Sequence, residues 1–204
     1  MNRKQTTTKT KNTIQLLCIC AMLTALEIVL NRFCSINTHA LKIGFAFIPP
    51  MLAAMLLGPL PGAVVWGLSD FLGAILFPIG PYHPGFTVCA ALMGLVAGLF
   101  LNKEPVRIGK RSLHWEKIRL FPNMVIVAVI NCLILGLLVN TYWVSMLYGS
   151  KTYLGWLAYR MLEYLVLVPV QLILMPILLK VCETLRRTNL LPLGGAAQNP
   201  KKIR

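Results

Sequence analysis

Acidic side chains are scarce in this chain: six Asp and Glu stand against twenty Lys and Arg among 204 residues. Signatures of chemistry are missing too. There is no GxxxxGK[ST] loop to cradle phosphates, and no HExxH, GxSxG or CxxC pattern. The chain therefore has no sequence basis for binding ATP through a Walker loop, for zincin or nucleophile-elbow hydrolysis, or for dithiol and zinc-ribbon chemistry. The six cysteines, Cys18, Cys20, Cys34, Cys89, Cys132 and Cys182, are scattered through apolar runs and read as small apolar filler. No metal-ligand cluster or cofactor fingerprint is present, so neither a metal nor a cofactor is expected. Long polar stretches are also lacking, which leaves no room for a soluble domain.

What is abundant is hydrophobic sequence, 57% of the chain. A helix needs about 20 apolar residues to cross roughly 30 Å of hydrocarbon. Runs near that length cover 13–31, 43–57, 62–79, 85–102, 122–147 and 157–185. The pattern predicts an all-α membrane protein, a bundle of six transmembrane helices over 13–187 between disordered polar tails at 1–12 and 188–204. The first run follows basic residues but no small-x-small cleavage site follows it, so it is kept as a span and not as a secretory signal.

The charges set the topology. With six spans, the N-terminal tail (Arg3, Lys4, Lys9, Lys11), the loop from Lys103 to Arg119 and the C-terminal end from Lys180 fall on one side. Only Arg32, Lys42, Lys151 and Arg160 fall toward the other, so the positive-inside rule places both termini in the cytoplasm. That distribution explains the net charge of +14 by topology and attraction to the lipid bilayer's anionic surface, and no nucleic-acid partner is expected.

Candidate functional residues gather at the outward ends of the spans. Gly67–Phe86 is an apolar span carrying Asp70 that runs into the loop Pro78-Ile-Gly-Pro-Tyr-His-Pro-Gly-Phe86, where prolines fix φ and glycines widen the accessible dihedrals. Asp70 can accept paired N–H donors from an aminopyrimidinone-like heterocycle; it can equally cap a broken neighbouring helix or bond a Trp or Tyr. His83 lies in the loop with no second ligand at metal spacing. Phe33, Tyr82, Phe86, Tyr142, Trp143 and Tyr148 share the outer side, a pattern that fits either an interfacial aromatic belt or a stacking pocket. Arg160 can hold an anionic ligand bidentately, or it can neutralise Glu163 three residues on. Ala21 and Ala25 make a small, smooth face on the first helix, with Glu27 about 200° around toward the interior. Gly94 and Gly98 form a GxxxG that reads as internal packing, and Gly44 with Pro49 and Pro50 interrupts the second run.

Taken as a set, Ala21-xxx-Ala25, Arg32-Phe33, the run from Ile43 to Pro49, Gly58-Pro with Gly62, Asp70 with Gly73, Pro78-x-Gly-x-Tyr-x-Pro-Gly-Phe86, Gly94 with Gly98, and Asn140-Thr-Tyr-Trp143 with Tyr148-Gly149 resemble the substrate-binding S components of energy-coupling factor (ECF) vitamin transporters, and among them the folate-specific ones. His83 departs from that family, which favours an aromatic residue there. The resemblance implies a bacterial plasma-membrane protein that is not an enzyme. Its outward loops would close over one vitamin, and its first-helix alanine face would dock a transmembrane coupling subunit carrying two cytoplasmic ATPases. The whole bundle would topple in the membrane to deliver its ligand inward. For folate, the ligand-binding set is Arg32, Phe33, Lys42, Asp70, Tyr82, His83, Phe86, Asn140, Trp143, Tyr148 and Arg160. The pterin would stack among Phe33, Tyr82, Phe86 and Trp143, Asp70 or Asn140 would read its donors, and Arg32, Lys42 or Arg160 would meet the glutamate carboxylates. The competing readings are an S component for riboflavin, thiamine or biotin, a self-sufficient secondary transporter, and a membrane enzyme acting on lipid.

Overall fold

The computed structural model describes residues 3–37, 42–78, 80–102, 106–108, 111–113, 120–149 and 152–187, with side chains described over 13–35, 44–78, 80–102, 122–149 and 152–185. Its elements are α1 (Arg3–Phe33), α2 (Ile48–Leu57), α3 (Pro59–Leu76), α4 (Pro84–Leu101), α5 (Leu120–Ala128), a π-helical segment (Val129–Val139) leading directly into α6 (Asn140–Tyr148), and α7 (Tyr153–Arg187). Two short antiparallel ladders, unforeseen in the sequence, pair β1 (Ile36–Asn37) with β2 (Lys42–Ile43) and β3 (Val106–Ile108) with β4 (Arg111–Leu113). α1 begins at Arg3, so the backbone from there to residue 12, expected as a disordered tail, continues the first helix. The expected C-terminal tail from Thr188 lies outside the described residues.

Among the described residues, five helices are long and apolar enough to cross a membrane: Thr13–Phe33, Pro59–Leu76, Pro84–Leu101, Pro122–Tyr148 and Tyr153–Leu185. The run 43–57 departs from expectation, because its helix, α2, has only ten residues. At 1.5 Å per residue that is about 15 Å, half the hydrocarbon thickness. Proline has no N–H and its ring clashes with a preceding helical turn, so Pro49 and Pro50 are tolerated only where a helix starts. The start they dictate is well satisfied. The Ile48 N–H donates to the Phe45 carbonyl at 3.0 Å and the Met51 N–H to Phe47 at 3.1 Å.

At its other end α2 turns straight into α3 through Gly58, whose φ of 106° excludes ordinary L residues. Ala54 and Gly62 meet across this turn: a Cβ on Gly62 would stand 2.6 Å from that of Ala54. The two helices therefore form an antiparallel hairpin. Ten residues on either side of Gly58 reach Ile48 and Leu68, so Asp70 stands roughly level with the turns that precede α2.

α3 and α4 are the most extensively packed pair. Their seam runs in steady antiparallel register. A Cβ at Gly98 would fall on the Pro59 backbone, one at Gly94 on the Gly62 carbonyl, and one at Gly67 3.2 Å from the Ala91 Cβ. The next step along the seam sets Asp70 opposite Thr87, whose hydroxyl donates to its carboxylate. The GxxxG thus packs internally, as expected. The principal hydrophobic core lies toward the Gly58 end, where Met51, Met55, Ala97, Leu101, Val127, Met175 and Leu179 pack together. A smaller cluster of Cys132, Leu137 and Tyr164 lies further along.

Replacing Gly94 with Leu forces side-chain volume against backbone that cannot withdraw, and overpacking of this kind typically costs about 1–3 kcal/mol. The thermal unfolding midpoint of the detergent-solubilised protein should fall for Gly94→Leu. Leu92→Ala on the exposed side of the same helix should leave it close to wild type.

Candidate functional site

At the end of the bundle opposite Gly58, four elements converge. Asp70 lies on α3 about 9 Å below that helix's last residue. Thr87 Oγ1 donates to its Oδ2 at 2.8 Å. The same hydroxyl lies 2.8 Å from the Tyr82 phenol. A hydroxyl carries one proton, and Thr87 gives its own to Asp70, so the Tyr82 O–H is the donor in the second bond. The relay therefore points one way, from the connection at Tyr82 through α4 to the carboxylate on α3.

One turn beyond Asp70, the Arg32 guanidinium lies over Gly73, where a Cβ would come within 3.3 Å of Nη2. Arg32 is half-buried and within electrostatic reach of Asp70 and Glu27. Its Nε is buried without a hydrogen-bond partner among the described residues. Glu27 is 4% exposed, facing inward as its helix position predicts, and accepts from Asn31 Nδ2 at 2.7 Å.

Aromatic rings line the other flank. His83 caps α4, its Nδ1 accepting from the Gly85 N–H at 3.0 Å. Because Nδ1 is the acceptor, a neutral His83 carries its proton on Nε2. Its ring stacks on Trp143 with centroids 4.6 Å apart and planes 23° from parallel. Trp143 lies against Gly85, where a Cβ would come 2.7 Å from Cδ2, so only glycine leaves room for the indole. Tyr142 meets Trp143 edge-on at 5.2 Å. The Tyr148 hydroxyl reaches Gly80, and Phe33 and Phe77 pack edge-to-face at 5.5 Å. Asn140 Oδ1 is buried with no hydrogen-bond partner.

Arg160 has three internal partners, one for each of its nitrogens. Its Nε pairs with Glu163 at 3.5 Å, Nη1 donates to the buried Thr141 hydroxyl at 3.3 Å, and Nη2 donates to the Tyr164 hydroxyl at 3.2 Å. Of the two readings open in the sequence, the internal ion pair describes this arrangement. The guanidinium ties α7 to α6.

The structure thus brings together Arg32, Asp70 and Tyr82 in one polar group and stacks His83 on Trp143, with Asn140 one turn before Trp143 on α6, Phe86 half-buried in the first turns of α4 and Tyr148 at the Gly80 connection. Lys42 is placed only by its backbone, in β2 opposite Asn37; its side chain lies outside the described residues. Ala21 and Ala25 are exposed on α1, away from the group. Sequence reasoning missed Thr87, Thr141 and Tyr164. A hydroxyl in the first turns of an otherwise apolar helix was the available signal for Thr87. Among the described residues no three His, Cys, Asp or Glu side chains converge as metal ligands.

A family model described as "ECF-type riboflavin transporter, S component" matches residues 11–181. The folate transporter FolT of Clostridium novyi (strain NT) is 38% identical over 130 residues, which cover 64% of this chain and 68% of that protein. The folate transporter FolT of Leuconostoc mesenteroides is 27% identical over 155 residues, 74% of this chain and 77% of that one. Among solved structures, FolT bound with folic acid superposes with a TM-score of 0.64 at 26% identity, over 77% of this chain and 86% of that chain. The S-component for biotin from an ECF-type ABC transporter superposes at 0.58 over 92% of this chain and 95% of that one; its 21% identity makes this a likeness of fold.

Removing one partner of a buried ion pair strands the other, at a typical cost of about 3–5 kcal/mol, whereas replacing both with apolar residues is often neutral. Glu163→Met should therefore lower the unfolding midpoint sharply, and the double variant Arg160→Met/Glu163→Met should recover most of the loss. Additive losses would show that the two side chains act independently.

Proposed function

The chain belongs to the S-component family of ECF-type transporters, and from that membership we propose that it captures folate at the Pro78–His83 end and delivers it through an ATP-driven partner module. The observation that carries the choice of ligand is the juxtaposition of Asp70 and Arg32, one helical turn apart along α3, with the His83–Trp143 stack at the start of α4 at the same end of the bundle. Folate pairs a flat ring rich in N–H donors with a carboxylate tail. A carboxylate acceptor, a guanidinium with an unpartnered buried nitrogen, and aromatic faces match those three features. Riboflavin, named in the family description, has no carboxylate to engage a cation. Both named relatives are folate transporters at 38% and 27% identity, which supports the same choice.

In this reading Asp70 receives the pterin donors, with Asn140 as a further polar contact. Phe33, Tyr82, Phe86 and Trp143 enclose the ring, His83 and Tyr148 buttress the wall, and Arg32 with Lys42 meets the glutamate end. Arg160 is reassigned to holding α6 against α7. The membrane topology is six passes with both termini cytoplasmic: α2 and the turns before it make the sixth pass. Without that pass the basic N-terminal tail and the basic segment 103–119 would face opposite sides, against the positive-inside rule. The exposed Ala21 and Ala25 on α1 offer a close-packing face for a transmembrane coupling subunit, and two cytoplasmic ATPases supply the energy that the chain has no Walker loop to supply.

Titrating the purified protein with folate, riboflavin, thiamine and biotin, read by tryptophan fluorescence, should give saturable binding for folate alone. Binding of riboflavin without folate would reverse the ligand choice. Uptake into vesicles driven by an ion gradient, with no partner or ATP, would point instead to a self-sufficient transporter. Arg32→Ala should weaken folate about 10- to 100-fold, the worth of a charged hydrogen bond of about 1.5–3 kcal/mol, and should weaken a pterin lacking glutamate much less. Equal losses would remove Arg32 from the tail.

A further inference from the structure

We propose that Thr87 is a specificity-determining positioning residue, which sets the plane of the Asp70 carboxylate so that it reads a ligand edge carrying two adjacent N–H donors. The inference rests on the assignment of Asp70 to the donor edge of the ligand and goes beyond it to what makes that reading selective. The torsion that turns a carboxylate about its last bond is broad, so Asp70 on its own has no fixed plane. Accepting two parallel N–H bonds requires the carboxylate to lie coplanar with the ligand edge. The 2.8 Å bond from Thr87 Oγ1 to Oδ2 anchors one oxygen and with it the plane. A carboxylate accepts about four hydrogen bonds, so the Thr87 bond does not exhaust the group.

Two features make this more than a chance contact. The α3–α4 seam fixes the register: the same antiparallel steps that set Gly98 on Pro59, Gly94 on Gly62 and Gly67 against Ala91 bring Thr87 to Asp70, so the pair cannot slide. The proton order is also fixed. Tyr82 O–H donates to Thr87 Oγ1, occupying the hydroxyl as an acceptor and leaving its single proton directed at Asp70. Tyr82 belongs to the connection between α3 and α4 and is 38% exposed, so the relay joins the mouth of the site to the carboxylate below it. The chemical class selected is a heterocycle presenting a ring N–H beside an exocyclic amino group. An analogue that keeps the ring but lacks the amino group engages only half of the oriented carboxylate.

The test compares affinities of the purified full-length protein for folate and for 2-desamino-2-methylfolate, which lacks the exocyclic donor. Thr87→Val keeps the side-chain shape and removes the proton. It should reduce the preference for folate over the analogue about tenfold, with the loss falling on folate. Thr87→Ser, which restores the hydroxyl, should retain the preference, and Tyr82→Phe should reduce it partially. Because the readout is a ratio on the same preparation, a variant that merely lowers the amount of folded protein scales both ligands alike and leaves it unmoved. Thr87→Val with an unchanged preference, while Asp70→Asn abolishes it, would overturn the role of Thr87 and leave Asp70 as the reader. An unchanged preference in Asp70→Asn would overturn both, and binding of neither ligand by the wild type would overturn the folate reading itself.

Discussion

In hydrocarbon no water is at hand to bond an exposed backbone N–H, and each one left unpaired costs several kcal/mol. A helix that starts at membrane depth has to solve that problem at its first turn, where four donors normally lack partners. The run Phe45–Met51 solves it by removing donors and satisfying the rest. Pro49 and Pro50 have no N–H, Ile48 donates back to Phe45, and Met51 donates to Phe47. The turns before Ile48 are thereby freed from being helix. Level with the turns before α2 stands Asp70 on α3, and the Arg32 guanidinium lies one turn further along, over Gly73.

Close packing and polar contacts are divided along the bundle axis by side-chain size. Toward Gly58, glycine and alanine let α2, α3 and α4 touch backbone to backbone, and the methionine-rich core of α2, α4, α5 and α7 fills the remainder. Without a hydrophobic driving force between helices in lipid, such close contact is the main source of association. Moving away from Gly58 the same seam changes chemistry, from Gly62 against Gly94 to Asp70 against Thr87, with no change of register. The aromatic flank depends on a different element. The π-helical stretch Val129–Val139, where the Asn140 N–H reaches back to the Leu135 carbonyl, leads directly into α6 and so determines the face on which Thr141 and Trp143 emerge.

Much of this was legible in the sequence because the signals are local. Five of the six runs became helices long enough to span, Gly94 and Gly98 packed internally, and the Pro/Gly loop with Asp70 below it marked where polar groups converge. The remainder depended on contacts across the fold or on small local energies. The run 43–57 is apolar from end to end, so composition reads a full span where the two prolines allow ten helical residues. Thr87 acquires its role only from the register with Asp70, seventeen residues away. His83 looked like a loop ring, and its capping bond to Gly85 depends on where α4 begins. The π-helical stretch has no compositional mark that separates it from α5, which is similarly apolar.

The two intramembrane arginines have opposite electrostatic situations, and this separates their roles. Arg160 has its acid three residues ahead on the same helix, and Thr141 and Tyr164 take its other donors, so its charge is balanced locally whatever occupies the site. Arg32 has no acid within one turn of α1; Glu27 is five residues back and Asp70 is on α3. Its neutralisation therefore requires α1 and α3 to stay together, and its fork keeps a buried nitrogen unpartnered. The next cation along the chain is Lys42, held in the β1–β2 ladder by pairing with Asn37 in the connection that follows α1. The ladder fixes the backbone of the connection between α1 and α2, a few residues beyond Arg32.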